Sequence, residues 1–304
     1  MRILEVRTEQ PNNIKTLFEA FKEIFSEVNL IFTPTIETKD GEVKQGGIKV
    51  LVVNEEKTIV MDLRLYANNF KGGFMCKRNK IVCGISVQTF YKFIKTVGVD
   101  DTLTLYMDDE NENKLKIRID KGENYNSYTN FEINLLDIDY EERGMNSIEF
   151  DIKVRMLTNE FQKKCKDSKE TGAEKLKITC IDDQIIFTAI GDEGSMEAVY
   201  QHSKNEGNFC GVNIKRTSKS KSVIIEDSYS LKNLTFLAKC SSLCSKVHLL
   251  IKNSRPLCIK YDVGTLGRVI FFIHPHTDDI DYEDDSESDI DEISDIKLEL
   301  LCNN

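Results

Sequence analysis

The alternation of apolar and polar residues predicts four helices set among short strands. Four stretches carry apolar side chains at the three- and four-residue spacing of an amphipathic helix. They begin at Asn12 or Asn13, Ser86, Thr158 and Ser230, and they end near Ser26, Gly98, Gly172 and Cys244. Between them, short runs alternate apolar and polar residues, which is the pattern of half-buried strands. The order of strand, helix, several strands, helix and hairpin occurs twice along the chain.

The two occurrences are related by one constant offset of 144 residues. This offset matches apolar with apolar residues, and lysine with lysine, in both helices and in the hairpin that follows. The matched pairs include Leu17 and Phe161, Phe21 and Cys165, Lys22 and Lys166, Ser86 and Ser230, Lys95 and Lys239, and Ile117 and Tyr261. One register held across several elements is typical of an internal repeat. We therefore predict an α+β fold of two similar domains, each with two helices on one face of a mostly antiparallel sheet.

A length of 304 residues leaves room for two such domains, each with its own core. We place the N-terminal domain at residues 1–134, a connector at 135–150, the C-terminal domain at 151–276 and a tail at 277–304. The connector opens with apolar residues, becomes acidic and passes through the lone Gly144, which is typical of an extended link between folded units.

The acidic charge of the chain is concentrated at its C-terminus. The formal net charge is −10, but the residues from Thr277 onward hold twelve acids and one lysine, a charge of −11. The remaining body therefore carries +1, so it does not repel polyanions as a uniformly acidic protein would. Clustered like charges favour a solvated tail without a core of its own.

The predicted helices place lysines outside their apolar faces. These lysines are Lys15, Lys22, Lys92, Lys95, Lys163, Lys166, Lys169, Lys232 and Lys239. On a single helix they would indicate no more than a solvated face. Four basic helices in a nearly neutral body favour contact with the phosphate backbone of DNA, which requires no base readout. Few outward aromatic residues accompany them, so we expect double-stranded rather than single-stranded DNA.

Two domains are too small to surround a duplex. A domain of about 130 residues has a radius of gyration of roughly 14 Å, so enclosing DNA requires several copies in a closed ring. Strand edges are a natural route to head-to-tail assembly. We predict edge strands at Leu115 to Ile119 and Met196 to Gln201, with subunit contacts at Leu115, Ile117, Ile119, Ala198 and Tyr200.

The sequence lacks the signatures of an enzyme, a bound cofactor or a membrane segment. No apolar run approaches the roughly 18 residues of a membrane span, and the first residues lack the features of a signal peptide. The nine cysteines form no Cys-x-x-Cys pair, and neither a phosphate loop nor a Gly-x-Ser-x-Gly motif occurs. The acidic run around Asp279, Asp281 and Glu283 lacks the glycine and terminal glutamate of a calcium loop. We expect a non-enzymatic protein with no cofactor, no metal and no membrane partner.

Several short motifs, in order and spacing, resemble the proliferating cell nuclear antigen family of DNA sliding clamps. They are Glu19-Ala20-Phe21-Lys22, Phe161-Gln162-Lys163-Lys164-Cys165-Lys166-Asp167, Leu136-Asp137-Ile138-Asp139, Gly191-Asp192-Glu193-Gly194-Ser195 and Phe271-Phe272-Ile273-His274-Pro275. The resemblance covers the body from the first helix to about Pro275. Divergence and a composition rich in Lys, Asn, Ile and Asp favour a large DNA virus or a protist as the source.

The resemblance implies a homotrimeric ring of six similar domains with helices lining the hole. Such a ring encircles double-stranded DNA and tethers the replicative DNA polymerase, the clamp loader and other proteins that carry a clamp-binding peptide. The resemblance implies that the protein acts in the nucleus or, if it is viral, at a cytoplasmic virus replication site in the host cell. Two alternatives stay open: a checkpoint-type clamp subunit that forms a heterotrimer, and a monomeric DNA-binding processivity subunit.

The resemblance also implies a pocket beneath the connector that receives the partner peptide. The matching positions are Val53, Lys57, Val60, Arg143, Met145, Phe150, Pro256, Phe272, Ile273, His274 and Pro275. Lys57 and Arg143 depart from the family, which usually has an apolar residue at Arg143, so a shallower and more basic pocket is expected. Asp182 stands where related clamps often carry a modifiable lysine. The tail residues Ile293, Ile296, Leu300 and Leu301 fall at helical spacing, which suggests an internal competitor for this pocket.

Overall fold

The computed structural model describes residues 1–38, 41–122, 127–140, 149–203, 211–217, 224–252 and 255–276. Arg143, Met145 and Gly144 of the connector, and the whole tail from Thr277, lie outside these ranges. The tail hypothesis therefore stays a prediction from the sequence.

Two halves of similar composition follow one another. The first half contains β1 (Arg2–Thr8), α1 (Pro11–Phe21), β2 (Glu27–Thr33), β3 (Ile36–Glu37), β4 (Val43–Lys44), β5 (Gly47–Val53), β6 (Ile59–Tyr66), β7 (Phe74–Cys76), β8 (Ile81–Ser86), α2 (Val87–Ile94), β9 (Thr102–Asp108), β10 (Lys114–Asp120) and β11 (Tyr128–Asn134). The second half contains β12 (Ile152–Leu157), α3 (Thr158–Lys169), β13 (Lys175–Ile181), β14 (Gln184–Gly191), β15 (Gly194–Gln201), β16 (Asn213–Arg216), β17 (Ile225–Ser230), α4 (Leu231–Leu237), β18 (Lys246–Ile251), β19 (Leu257–Val263) and β20 (Gly267–Ile273). A 3-10 segment, Ala238–Ser242, continues α4.

Helix beginnings follow the chemistry of the local sequence. Ser86 and Ser230, related by the offset of 144, each accept a hydrogen bond from the backbone N–H three residues later, at 3.4 Å. The helix α1 begins at Pro11 rather than after the predicted cap Asn12 or Asn13. Proline suits this position because its fixed φ is helical and its missing N–H would have no partner there.

The two halves share one nine-stranded antiparallel sheet, in the order β16-β12-β18-β19-β20-β6-β5-β2-β8. Its central pair joins β6 of the first half to β20 of the second, in a register that runs from Ile59 opposite Ile273 to Leu65 opposite Gly267. The described residues also form three smaller sheets, in the orders β11-β10-β9-β1-β7, β15-β14-β13-β17 and β3-β4. The β6–β20 pair is therefore the junction between the halves.

All four helices lie on one face of the junction sheet. The helix α1 packs against α2 within its half and, across the junction, against the 3-10 segment after α4. The rings of Phe21 in α1 and Phe271 in β20 meet edge to face, with centroids 6.3 Å apart. The inward residues of β6 and β20, including Met61, Leu63 and Val269, are buried in this common core.

One predicted edge strand was wrong. β10 lies between β9 and β11 and is an interior strand, so among the described strands β11 and β7 are the two edges of that sheet. Leu115, Ile117 and Ile119 are almost fully buried in the core and cannot contact another subunit. The second predicted edge is confirmed as an edge, because β15 pairs only with β14 among the described strands.

The described start of the connector lies along β8. Leu136 donates its N–H to the carbonyl of Gly84 at 2.8 Å, and Asn29 Nδ2 donates to the carbonyl of Ile138 at 3.3 Å. A Cβ at Gly84 would lie 2.3 Å from the Leu136 carbonyl oxygen, so only glycine allows this approach. None of the helices in the described ranges has the length and hydropathy of a membrane span.

Candidate DNA-facing helices and partner surface

Five of the nine predicted DNA-binding lysines are exposed on the helix layer and have no ion pair within the described ranges. They are Lys92 and Lys95 at the end of α2, and Lys163, Lys166 and Lys169 on α3. The free-energy cost of replacing water by phosphate oxygens is small for ammonium groups that are exposed and have no ion pair. These five side chains are the most available cations of the layer.

The other four lysines already have partners. Lys15 Nζ donates to the carbonyl of Val97 at 3.2 Å, which ties α1 to the end of α2. Lys232 lies 3.6 Å from a carboxylate oxygen of Glu56. Both interactions compete with phosphate, so these lysines are weaker candidates than the exposed five.

Lys22 and Lys239 share one carboxylate at the junction between the halves. Glu23 Oε1 lies 3.3 Å from Lys22 Nζ and 3.5 Å from Lys239 Nζ. Partial burial acts to raise the pKa of Glu23, but Lys239 and Lys22 outweigh it and hold that pKa below its usual value. Lys22 also sits over the ring of Tyr91, with its ammonium 4.8 Å from the ring centroid.

The opposite face of the junction sheet carries a second, smaller apolar cluster, here called the outer cluster. Its buried members are Val60, Phe150, Cys258, Ile270 and Phe272, with Leu51 and Leu250 packed against them. Most of these side chains come from the strands around the junction, and Phe150 is the last residue of the connector. The cluster therefore lies over the joint between the halves, where the resemblance places the partner pocket.

The predicted pocket residues divide between this cluster and its surroundings. Val60, Phe150 and Phe272 belong to the cluster, and Pro256 is buried close to the start of β19. Val53 is 44% exposed at the end of β5, so it offers apolar surface to a partner. His274 and Pro275 are half-buried at the end of β20, and the His274 N–H donates to the carbonyl of Thr58 at 3.1 Å.

One predicted pocket residue, Ile273, was assigned to the wrong face of its strand. Ile273 is fully buried in the main core on the helix side, so it cannot contact a peptide on the outer face. Successive residues of a strand point to opposite faces, and Phe272 takes the outer one. Lys57 is exposed in the turn before β6 with a φ of 54°, a left-handed conformation that Asn54 supports by accepting hydrogen bonds from the N–H groups of Thr58 and Ile59.

Comparison with known proteins completes these observations. Residues 3–143 match the N-terminal domain of proliferating cell nuclear antigen, and residues 144–276 match its C-terminal domain. The chain belongs to the proliferating cell nuclear antigen family. The match confirms the predicted clamp fold of two similar domains and the predicted function of a sliding clamp in DNA replication.

Two relatives are viral proteins. The "Probable DNA polymerase sliding clamp 1" of Paramecium bursaria Chlorella virus 1 is 29% identical over 277 residues, which cover 90% of this chain and 97% of the relative. The "Probable DNA polymerase sliding clamp" of Acanthamoeba polyphaga mimivirus is 27% identical over 300 residues, covering 90% of this chain and 62% of the relative. This clamp therefore spans less than two thirds of the mimivirus relative. Both relatives agree with the prediction of a clamp from a large DNA virus.

Sequence reasoning missed four members of the outer cluster. Ile270, Cys258, Leu51 and Leu250 were not among the predicted pocket residues, yet they pack in the same cluster as Phe272 and Val60. A signal was present, because Val269 to Ile273 is an uninterrupted apolar run, and such a run marks a strand buried on both faces.

The cysteines of the clamp include several thiols that are poor nucleophiles. Burial raises the pKa of Cys83, Cys165 and Cys180 to about 12, so these thiols stay protonated at neutral pH. Cys165 stands where Phe21 stands in the first half, and it fills core space there.

Proposed function

We propose that this clamp closes head to tail into a ring of three chains around double-stranded DNA and tethers the replicative DNA polymerase to it. The observation that carries the proposal is a relation between strand edges. The free edges β11 and β15 are the repeat equivalents of β20 and β6, which pair at the junction inside the chain.

The equivalence follows from the ladders. Ile117 in β10 pairs with Phe131, and its counterpart Tyr261 in β19 pairs with Val269, so Phe131 corresponds to Val269. In the first half β8 pairs with β2, β2 with β5 and β5 with β6, and in the second half β17 pairs with β13, β13 with β14 and β14 with β15. Following these registers from the equivalent residues Ser86 and Ser230 makes Ala198 the counterpart of Leu63. Val269 and Leu63 are opposite each other at the junction.

The proposed subunit boundary therefore repeats the register of the junction. Phe131 of one chain lies opposite Ala198 of the next, and Ile133 lies opposite Met196. All four side chains are on the core side of their strands, buried or half-buried. Because every joint between neighbouring domains then has the same geometry, each domain is rotated by the same angle relative to the one before it. The six domains implied by the family resemblance require three chains.

The remaining parts of the proposal concern DNA and partners. The exposed lysines of the helix layer contact phosphates without reading bases, which suits a ring that slides. The outer cluster and Val53 receive the hydrophobic plug of a partner peptide, carried by the polymerase, the clamp loader or other replication and repair factors. The clamp itself performs no catalytic step. It works in the infected host cell, in the nucleus or in a cytoplasmic replication site.

Analytical ultracentrifugation of the full chain tests the ring. A species of three times 34.9 kDa is expected, and Val199→Asp in β15 should dissociate it. Val199 is 49% exposed, so the change leaves the folded chain intact, which circular dichroism verifies. A strict monomer at high concentration would favour the monomeric processivity subunit, and a trimer only with other chains would favour the checkpoint-type clamp.

A further inference from the structure

The ion-pair cluster at the junction inside the chain has a counterpart at the proposed subunit boundary. At the junction, Glu23 at the end of α1 pairs with Lys239, which lies in the 3-10 segment of the other half, at 3.5 Å. The interaction crosses from one half to the other, on the helix layer above the β6–β20 pair. This ion pair therefore reinforces, on the helix layer, the junction that β6 and β20 form by strand pairing.

The offset of 144 carries both members of this pair to residues of matching charge. Glu23 becomes Asp167 on α3, and Lys239 becomes Lys95 at the end of α2. Lys22, the neighbour of Glu23, becomes Lys166. The sign of the side-chain charge is therefore the same in both halves at all three positions.

Within one chain these two counterparts do not pair with each other. Asp167 is bound by Lys164 at 2.6 Å and keeps 37% of its side chain exposed. Lys95 is exposed and has no ion pair within the described ranges. The two residues belong to different halves, on elements that the intrachain junction does not bring together: α3 beside the edge β15, and α2 beside the edge β11.

We infer that Asp167 of one chain and Lys95 of the next form an ion pair across each subunit boundary. The partner is a second copy of this chain. The ion pair connects the helix layers of the two chains, as Glu23 and Lys239 connect the two halves at the junction. The inference rests on the proposed ring, because β11 and β15 must pair before the two side chains can meet. It predicts a ring whose stability falls as salt rises, since exposed ion pairs are screened.

Charge reversal tests the pair. Asp167→Lys would place a third cation beside Lys164 and Lys166, facing Lys95, and should raise the concentration at which the ring dissociates on the order of tenfold. Lys95→Glu should act in the same direction. The double variant Asp167→Lys with Lys95→Glu restores an opposite-charge pair and should recover most of the ring stability, which a double-mutant cycle measures.

The reversed pair Glu23→Lys with Lys239→Glu is the matched control. Its single changes act inside one chain, so they should lower the melting temperature of the chain while leaving the mass of the ring unchanged at saturating concentration. Asp167→Asn and Lys95→Gln serve as milder variants if a reversal impairs folding.

The outcomes separate the inference from the proposed function. If the single reversals at Asp167 and Lys95 leave ring dissociation unchanged, or if their effects add in the double variant, the ion pair is absent although the ring stands. If the unmodified chain is a monomer at every concentration, the ring and the ion pair fail together.

Discussion

The paired junction and the two free edges use equivalent strands but differ on their outer face. At the junction, Val60, Ile270 and Phe272 are apolar and buried on that face. At the free edges, the equivalent positions are Ser195, Glu132 and Asn134, which are exposed. On the inner face, which points toward the helices, most side chains are apolar and buried or half-buried at the junction and at the free edges alike.

In the proposed ring, this difference would separate a permanent joint from one that can open. Burial on both faces makes the junction part of the domain core, as in obligate interfaces. Polar residues on one face of a free edge discourage unwanted pairing and lower the cost of separating the strands. Loading the proposed ring onto DNA would require both kinds of joint.

The largest expected effect concerns the core of the junction. Phe271→Ala removes a fully buried ring that packs on Phe21, and it should lower the free energy of unfolding by about 3–5 kcal/mol. Phe131→Ala at the free edge should cost the isolated chain less, because Phe131 is half-buried and stacks on Phe93 alone among described aromatic rings. Urea unfolding of both variants measures the contrast. Equal decreases would contradict the distinction between the two joints.

The second prediction compares lysines on the helix layer. Replacing Lys163, Lys166 and Lys169 by Gln should reduce the slope of log affinity against log salt by about 0.9 for each phosphate that is no longer neutralised. Replacing Lys22 and Lys239 should reduce it less, because Glu23 already holds both ammonium groups. Fluorescence anisotropy with duplex DNA at several salt concentrations measures the slopes. Lys71→Gln, an exposed lysine outside the helices, is the control.

A third prediction separates the outer face of the junction from the free edge. Val53→Asp should weaken binding of a partner peptide on the order of tenfold, since a carboxylate replaces apolar surface. It should leave ring mass unchanged, whereas Val199→Asp should do the reverse. Calorimetry with a clamp-binding peptide and sedimentation of both variants give the comparison. Peptide binding that is insensitive to Val53→Asp would place the site elsewhere.

The smallest effect concerns pH at the junction. The pKa of Glu23 lies below its usual value, so its ion pairs stabilise the folded chain above about pH 4.5 and this contribution disappears as pH falls through the lowered pKa. Because Glu23 is largely solvated, the contribution should stay below about 1 kcal/mol. Glu23→Gln should therefore lower the melting temperature slightly at pH 7, and by less as the pH falls through the lowered pKa. A difference that grows on acidification would have the wrong sign.

Much of the site could be predicted because it depends on repeated local patterns. The lysines recur at fixed positions on amphipathic helices, so their presence on one layer followed from helical spacing and the offset of 144. Ile273 was misplaced because a strand exposes alternate residues, and an error of one position moves a side chain to the other face. The predicted pocket was incomplete although Leu51, Cys258 and Ile270 each lie two residues from a predicted member, because strand alternation was not followed along each strand.

The sequence by itself determined the repeated α+β unit, the helix faces and the separation of the acidic tail from a nearly neutral body. These features depend on residue spacing and charge, which act locally. Only the tertiary structure decided that β11 and not β10 is the free edge. Only Phe131 and Ile133 are apolar at the inward positions of β11, so the strand acquires its place by packing Phe131 on Phe93 and by pairing with β10. An edge is defined by which neighbour is absent, and no local pattern along the chain contains that information.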